Sequence, residues 1–147
     1  FGTMGYGTGA SMGAALGVPQ KRVVHIAGDG SFRMNCNELA TLKHYNIPVI
    51  IVLMNNGTLG MVRQWQTLFY GERYSQTTLD RGPDFNILAD AFGVLSFKAE
   101  TEAEFETALK TALSLNEPVL INSMIDIDER VLPMVPAGRP IDELILE

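Results

Sequence analysis

Three observations predict an α/β fold, a parallel sheet with helices on both faces. Strand-like runs alternate with helix-like segments along the whole chain. The run IPVIIVLM at 47–54 is apolar throughout, as strands covered on both faces must be. With 147 residues, 46% of them hydrophobic and 19% charged, the chain has the size and composition of one globular domain with a real core.

The elements follow in order. Behind the glycine-rich opening FGTMGYGTG, residues 9–17 form a helix of small residues. RVVHIA at 22–27 is β-branched and apolar, which predicts the first strand. Asn35, followed three positions later by Glu38, has the spacing of a capping box for a helix running to about Tyr45. Residues 48–54 make the second strand. LGMVRQWQTLFY at 59–70 is amphipathic, and a polar, turn-rich segment, GERYSQTTLDRGPD, follows. Residues 85–92 predict a helix that stops at Gly93. VLSFKA is the third strand, and Thr101 with Glu104 opens a helix carrying Phe105, Ala108, Leu109 and Ala112 on one face. PVLINSMI is the fourth strand. The tail from Asp126 carries three prolines in VLPMVPAGRP and predicts a short terminal helix.

A net charge of −6 argues against a nucleic-acid or anionic-membrane partner, each of which needs a basic face. One cysteine, Cys36, permits no internal disulfide and suits a reducing compartment. The longest apolar run has eight residues, against the ~20 a bilayer span needs. No signal peptide is visible, so the expected location is cytoplasmic. The chain opens inside a glycine-rich loop without an initiating Met, which predicts a piece of something longer.

The stretch GDGSFRMN, straight after the first strand, holds the chemistry. Two glycines suit a phosphate loop, yet Asp29 stands between them and a carboxylate repels phosphate. In a parallel sheet the helix after one strand returns the chain, so MNNGTLG ends the second strand on the same rim as Asp29. Asp29 and the amide oxygen of Asn55 or Asn56 can then converge beside the backbone of Gly30 and Ser31. Hard oxygen ligands next to a phosphate-sized gap describe a magnesium site, in which the cation lies between carboxylate and phosphate. A dinucleotide loop of Rossmann type is the bland alternative. Arg33 occupies the place of its third glycine, and asparagines stand where a ribose-binding acid would close the second strand.

Gly28-Asp29-Gly30, with Asn55-Asn56 after 24 intervening residues (31–54), resembles the fingerprint of the thiamine-diphosphate-dependent decarboxylases and carboligases. GTMGYG, NELAT, NNGTLGMVRQWQTLFYGERYS, PDF and VLPMVPAG extend the resemblance to the C-terminal, diphosphate-binding domain of the acetohydroxyacid (acetolactate) synthases. TGASMG departs from that pattern, Gly9 standing in place of a proline and loosening the turn.

The resemblance implies thiamine diphosphate and Mg2+ as cofactors. Asp29, the Asn56 side chain and the backbone oxygen of Thr58 would be the metal ligands. Gly28, Gly30 and Ser31 would line the diphosphate, Gly2 and Met4 the aminopyrimidine, and Gly60 and Met61 the far side of the cofactor. Met61 and Trp65, one helical turn apart, would border the substrate entrance, with Trp65 favouring the larger acceptor. The alternative for Met61, Val62, Trp65, Leu68 and Phe69 is a stripe buried in the core. The activity implied is decarboxylation of pyruvate and carboligation to a second 2-oxo acid, giving 2-acetolactate or 2-aceto-2-hydroxybutyrate for branched-chain amino acid synthesis. Pyruvate oxidase, glyoxylate carboligase, a 2-oxo acid decarboxylase and a non-catalytic Rossmann-type module stay open.

The family further implies an activating glutamate in a missing N-terminal domain of a neighbouring subunit, and FAD in a missing middle domain. It also implies a homodimer or higher assembly and a possible regulatory small subunit. Residues 1–147 alone are expected inactive, with an apolar face around Met4, Tyr6 and Met12 that meets the missing domains. His25, His44 and Cys36 read as structural, the carboxylates at 100, 102, 104 and 106 as a solvated face, and Arg63 as facing either substrate or solvent.

Overall fold

The computed structural model describes residues 2–146. Four strands, β1 (Val23–Gly28), β2 (Val49–Asn55), β3 (Leu95–Ala99) and β4 (Val119–Met124), form one parallel sheet in the order β1-β2-β4-β3. The helices are α1 (Tyr6–Gly17), α2 (Asp29–Phe32), α3 (Leu39–His44), α4 (Gly60–Phe69), α5 (Phe85–Ala91) and α6 (Glu102–Ser114).

The central strands divide their side chains between two cores, as the pleat demands. Val49, Ile51 and Leu53 of β2 pack with Ala15 of α1, Leu39 and Leu42 of α3, and Phe85 and Ala89 of α5. Ile50 and Val52 face the other way, with Val119 and Ile121 of β4, onto Ala108 and Ala112 of α6. Helices therefore cover both faces of β2 and β4. The second face is bare over β1, where Val24 and Ile26 are exposed. Of the apolar face expected for missing domains, Met4 and Tyr6 are exposed, but Met12 packs against the core.

The α6 capping box forms, with Thr101 Oγ1 accepting from Glu104 N–H and Glu104 reaching back to the N–H of Thr101. The one expected at Asn35 does not form. There the chain breaks into α2, a 3₁₀ turn at Cys36–Glu38 and α3, and Asn35 makes no side-chain cap. Its Nδ2 instead donates to Gly5 O at 2.8 Å. Two further expectations are corrected. Helix α1 begins at Tyr6, so Gly9 lies inside it and not in a turn. The tail has no terminal helix among the described residues, because Met134 and Ile145 exchange N–H···O bonds of 3.0 and 2.8 Å across an antiparallel bridge. Backbone groups paired across the tail are not left for a local helical turn.

Asn35 thus gives a discriminating prediction. Serine caps helices as well as asparagine does but cannot span to Gly5. Asn35→Ser should lower stability by about 0.5–1.5 kcal/mol, as much as Asn35→Ala, for the lost hydrogen bond. Urea denaturation of both variants checks this; a Ser variant as stable as the parent would restore the capping role.

Candidate functional site

The parallel register sets the site. Gly28, the last residue of β1, pairs with Met54 of β2, and Asn55 pairs with Met124 of β4. Asp29 and the 56–60 loop therefore leave the same rim of the sheet. There a cavity of about 470 Å³ is lined by Gly28, Asp29, Gly30 and Ser31, by Asn56, Thr58, Gly60 and Met61, and by Met4. Residues from three distant segments thus share one concave surface at the carboxyl ends of the strands, where ligands of such sheets bind.

Asp29 is buried at 3% exposure and has no ion pair among the described residues. Burial pushes its pKa up; hydrogen bonds from the backbone of Gly30 and Asp29 and the charge of Arg33 oppose this without cancelling it. Asn56 Oδ1 accepts from Thr58 N–H at 3.2 Å, closing a tight turn, and an amide oxygen retains a second lone pair. Thr58 is buried at the cavity wall, and its hydroxyl donates to Thr77 O at 3.0 Å. Among the described residues no three His, Cys, Asp or Glu side chains are grouped so as to hold a metal ion.

The glycines differ in what they do. A Cβ on Gly30 would lie 2.8 Å from Leu59 Cδ2, so a side chain there would force Leu59 to shift. A Cβ on Gly28 would meet nothing within 4 Å; that space belongs to the cavity. Gly5, which the sequence did not single out, has φ +83° and is held from both sides. Its N–H donates to Ser31 Oγ at 3.0 Å and its carbonyl accepts from Asn35, which pins the 2–5 loop over GDGS and brings Met4 to the cavity. Gly2, with φ +62°, does not line the cavity.

Helix α4 is not a core stripe. Its one buried residue is Gln64, whereas Met61, Val62, Trp65 and Phe69 are exposed. Trp65 stands edge-on to Phe69, with ring centroids 5.7 Å apart. It lies outside the Asp29 cavity and lines a second one of about 480 Å³ with Met61, Val62, Gln66, Tyr70 and Arg73. Met61 and Val62 border both.

The tail closes the third side, which the sequence did not foretell. Ile125, Glu129, Arg130 and Val131 line the Asp29 cavity. They are held by Gln64, whose amide accepts from Val131 N–H at 2.8 Å and donates to Val131 O at 3.1 Å. Arg63 faces neither a cavity of substrate size nor open solvent. Its guanidinium donates to both Asp128 oxygens, at 2.7 and 3.2 Å, and lies 3.9 Å over the Tyr74 ring. The apolar-tail signature VLPMVPAG was the only sign in the sequence that this segment mattered. His25, its pKa lowered by burial, packs against Gly7, where a Cβ would come within 2.3 Å of the ring. His44 is exposed against Tyr45. Cys36 is half-buried, its Sγ 3.5 Å from Arg33 O. No helix of the described residues is long and apolar enough to cross a membrane.

Residues 1–123 match the family model described as "Thiamine pyrophosphate enzyme, C-terminal TPP binding domain". The chain is 48% identical over 145 residues to the acetolactate synthase isozyme 2 large subunit of Escherichia coli strain K12, a match spanning 99% of this chain and 26% of that protein. It is 46% identical to the acetolactate synthase large subunit of Lactococcus lactis subsp. lactis strain IL1403, over 99% of this chain and 25% of that one. Among solved structures, the thiamine diphosphate-dependent 4-hydroxybenzoylformate decarboxylase of Rhodococcus jostii RHA1 superposes with a TM-score of 0.79 at 34% identity, covering 86% of this chain and 24% of that one. The chain spans about a quarter of the length of these relatives. With a parallel sheet, a GDG turn and an asparagine loop meeting at one rim, and a family match over most of its length, the chain belongs to the thiamine pyrophosphate enzymes as their C-terminal TPP-binding domain.

Proposed function

We propose that residues 1–147 form the diphosphate- and Mg2+-binding domain of a longer acetolactate synthase large subunit. The reaction is decarboxylation of pyruvate and transfer of its two-carbon unit to a second 2-oxo acid, giving 2-acetolactate or 2-aceto-2-hydroxybutyrate. The observation that carries this reading is the gathering of Asp29, Asn56 and Thr58 with Gly28, Gly30, Ser31 and Met4 around one cavity, in a chain 48% identical to a synthase large subunit.

The donor set fits the cofactor. One buried carboxylate without a cationic partner, one amide oxygen and one backbone oxygen are hard ligands suited to Mg2+, which completes its octahedron with phosphate oxygens and water. The side-chain-free Gly28 leaves room for the diphosphate, and Ser31 Oγ, which accepts from Gly5, keeps its proton for a phosphate oxygen. Bound thiamine diphosphate would supply the electron sink for the carbon–carbon bond broken in the 2-oxo acid. Met4, Ile125 and Val131 line the same cavity and would give the bound cofactor apolar contacts. Met61 and Val62 border both the cofactor cavity and the one lined by Trp65, and this supports an entry for the acceptor's alkyl group past Trp65. On this reading the activating glutamate and the FAD-binding segment lie in other parts of the protein, the glutamate reaching this site from a neighbouring subunit, and a regulatory small subunit is a further partner.

Asp29 should act in opposite senses on metal-free and loaded protein. Because burial raises its native pKa above the unfolded value, its contribution to stability is present at low pH and lost as pH rises past the ordinary carboxylate range. Asp29→Asn should therefore melt higher than the parent at pH 7 without metal, the difference closing in acid. Ligand at about a hundred times its Kd stabilises a binding protein by about 2.7 kcal/mol. Mg2+ with thiamine diphosphate should raise the melting temperature of the parent and leave the variant unmoved. A variant stabilised as much as the parent would remove Asp29 from the site.

Trp65→Leu in the intact synthase should reduce the preference for 2-oxobutyrate over pyruvate about tenfold, since one methylene in an apolar pocket discriminates by about 1–3 kcal/mol. Product ratios with both acceptors present measure this; an unchanged ratio would return Trp65 to packing.

A further inference from the structure

We propose that Asn122 is a positioning residue for the cation-binding loop, acting through a directed chain of side-chain hydrogen bonds; the proposal rests on the Mg2+ reading above. The chain begins at Gly57, whose N–H donates to Asn55 Oδ1 at 3.3 Å. Asn55 Nδ2 donates to Asn122 Oδ1 at 3.0 Å, and Asn122 Nδ2 donates to Asn86 Oδ1 at 2.9 Å. Asn86 Nδ2 donates to Ser96 Oγ at 3.0 Å. Four elements, β2, β4, α5 and β3, are joined in this way, from the carboxyl end of β2 through the middle of β4 to the second residue of β3.

Asn122 has no other reason to be polar. It is buried at 5% exposure in a strand that reads VLI before it, and it does not line the cavity. A buried amide without partners would cost more than an apolar residue of similar size. All its partners lie in this chain, and the direction is set at Gly57, whose N–H can only donate; reversing Asn122 sets donor against donor at Asn55 and acceptor against acceptor at Asn86.

The consequence falls on residues 56–58. Asn55 is gripped twice as β2 ends: its carbonyl accepts from Ile125 N–H at 3.0 Å, and its side chain is held by Asn122. The same side chain holds the N–H of Gly57, whose φ of +64° turns the chain. Asn56 and Thr58, the proposed ligands on this loop, therefore leave the sheet in one direction. Partners behind the ligands of a metal characteristically alter affinity by about 10–100-fold when removed.

The test is the Mg2+ concentration that half-saturates thiamine diphosphate binding to the intact protein, read by calorimetry, with melting temperature recorded for each variant. Asn122→Leu leaves Asn55 without its acceptor and should raise that concentration about tenfold or more. Asn122→Asp keeps an acceptor for Asn55, and the Asn86 amide can turn to donate to it while accepting from the Ser96 hydroxyl. This variant should stay close to the parent. Val119→Ala, in the same strand but at its far end, supplies a loss of stability without loss of the chain and should leave Mg2+ dependence unchanged. If Asn122→Leu does not fold, Asn55→Ala cuts the chain on the loop side and should show the same rise. Unchanged Mg2+ dependence in the Leu variant, or in Asn55→Ala where that is the one measured, overturns the proposal. So does an equal shift in Val119→Ala. Full binding by Asp29→Asn in the same assay would instead overturn the metal site itself, which separates the two failures.

Discussion

The pairing of Gly28 with Met54 and of Asn55 with Met124 governs the rest of the molecule. All four strands run the same way, so every segment that leaves a strand toward chemistry leaves at one rim. Shifting β1 by one residue against β2 would turn Val23, His25 and Ala27 to the bare face and carry Asp29 away from the asparagine loop. The two cores on either side of β2 and β4 hold that register, which makes packing remote from the rim a condition for its geometry.

Register alone would leave the cavity open on two sides. The glycine loop is closed down by Gly5, through Ser31 and Asn35, and this carries Met4 inward. The tail is closed down by α4, through the Gln64 amide on Val131 and the Arg63–Asp128 pair beneath Tyr74. Because α4 turns its one buried side chain to the tail, its apolar residues face outward and form the wall between two cavities. A helix whose stripe would ordinarily seal a core here presents it to whatever enters.

Asp29 expresses the tension in the arrangement. The fold buries a carboxylate at the wall of the cavity, and burial disfavours its charge. Such strain between stability and site chemistry is ordinary where a ligand is meant to complete the structure. The asparagine chain behind the loop shows the opposite policy, every amide partnered, where geometry rather than charge is at stake.

The sequence by itself determined the parallel α/β fold, the four strands, the α6 capping box, and the meeting of Asp29 with the asparagine loop. Each of these rests on short-range rules: alternation of elements, local capping, and the return of a βαβ unit to the same rim. It could not decide the use of groups whose partners are distant in the chain. Asn35 has the spacing of a cap, yet a carbonyl 30 positions upstream takes its amide. The tail reads as ending in a short helix, yet Met134 pairs with Ile145. The spacing in α4 shows that one face is apolar and says nothing about what covers it, so burial and exposure read alike until the tail is seen holding Gln64. Met12 read as open surface for the same reason, its cover coming from the core beneath α1. Periodicity reports a face; only tertiary packing supplies the partner, because hydrogen bonds and contacts are made by proximity in space, which the local pattern of residues does not encode.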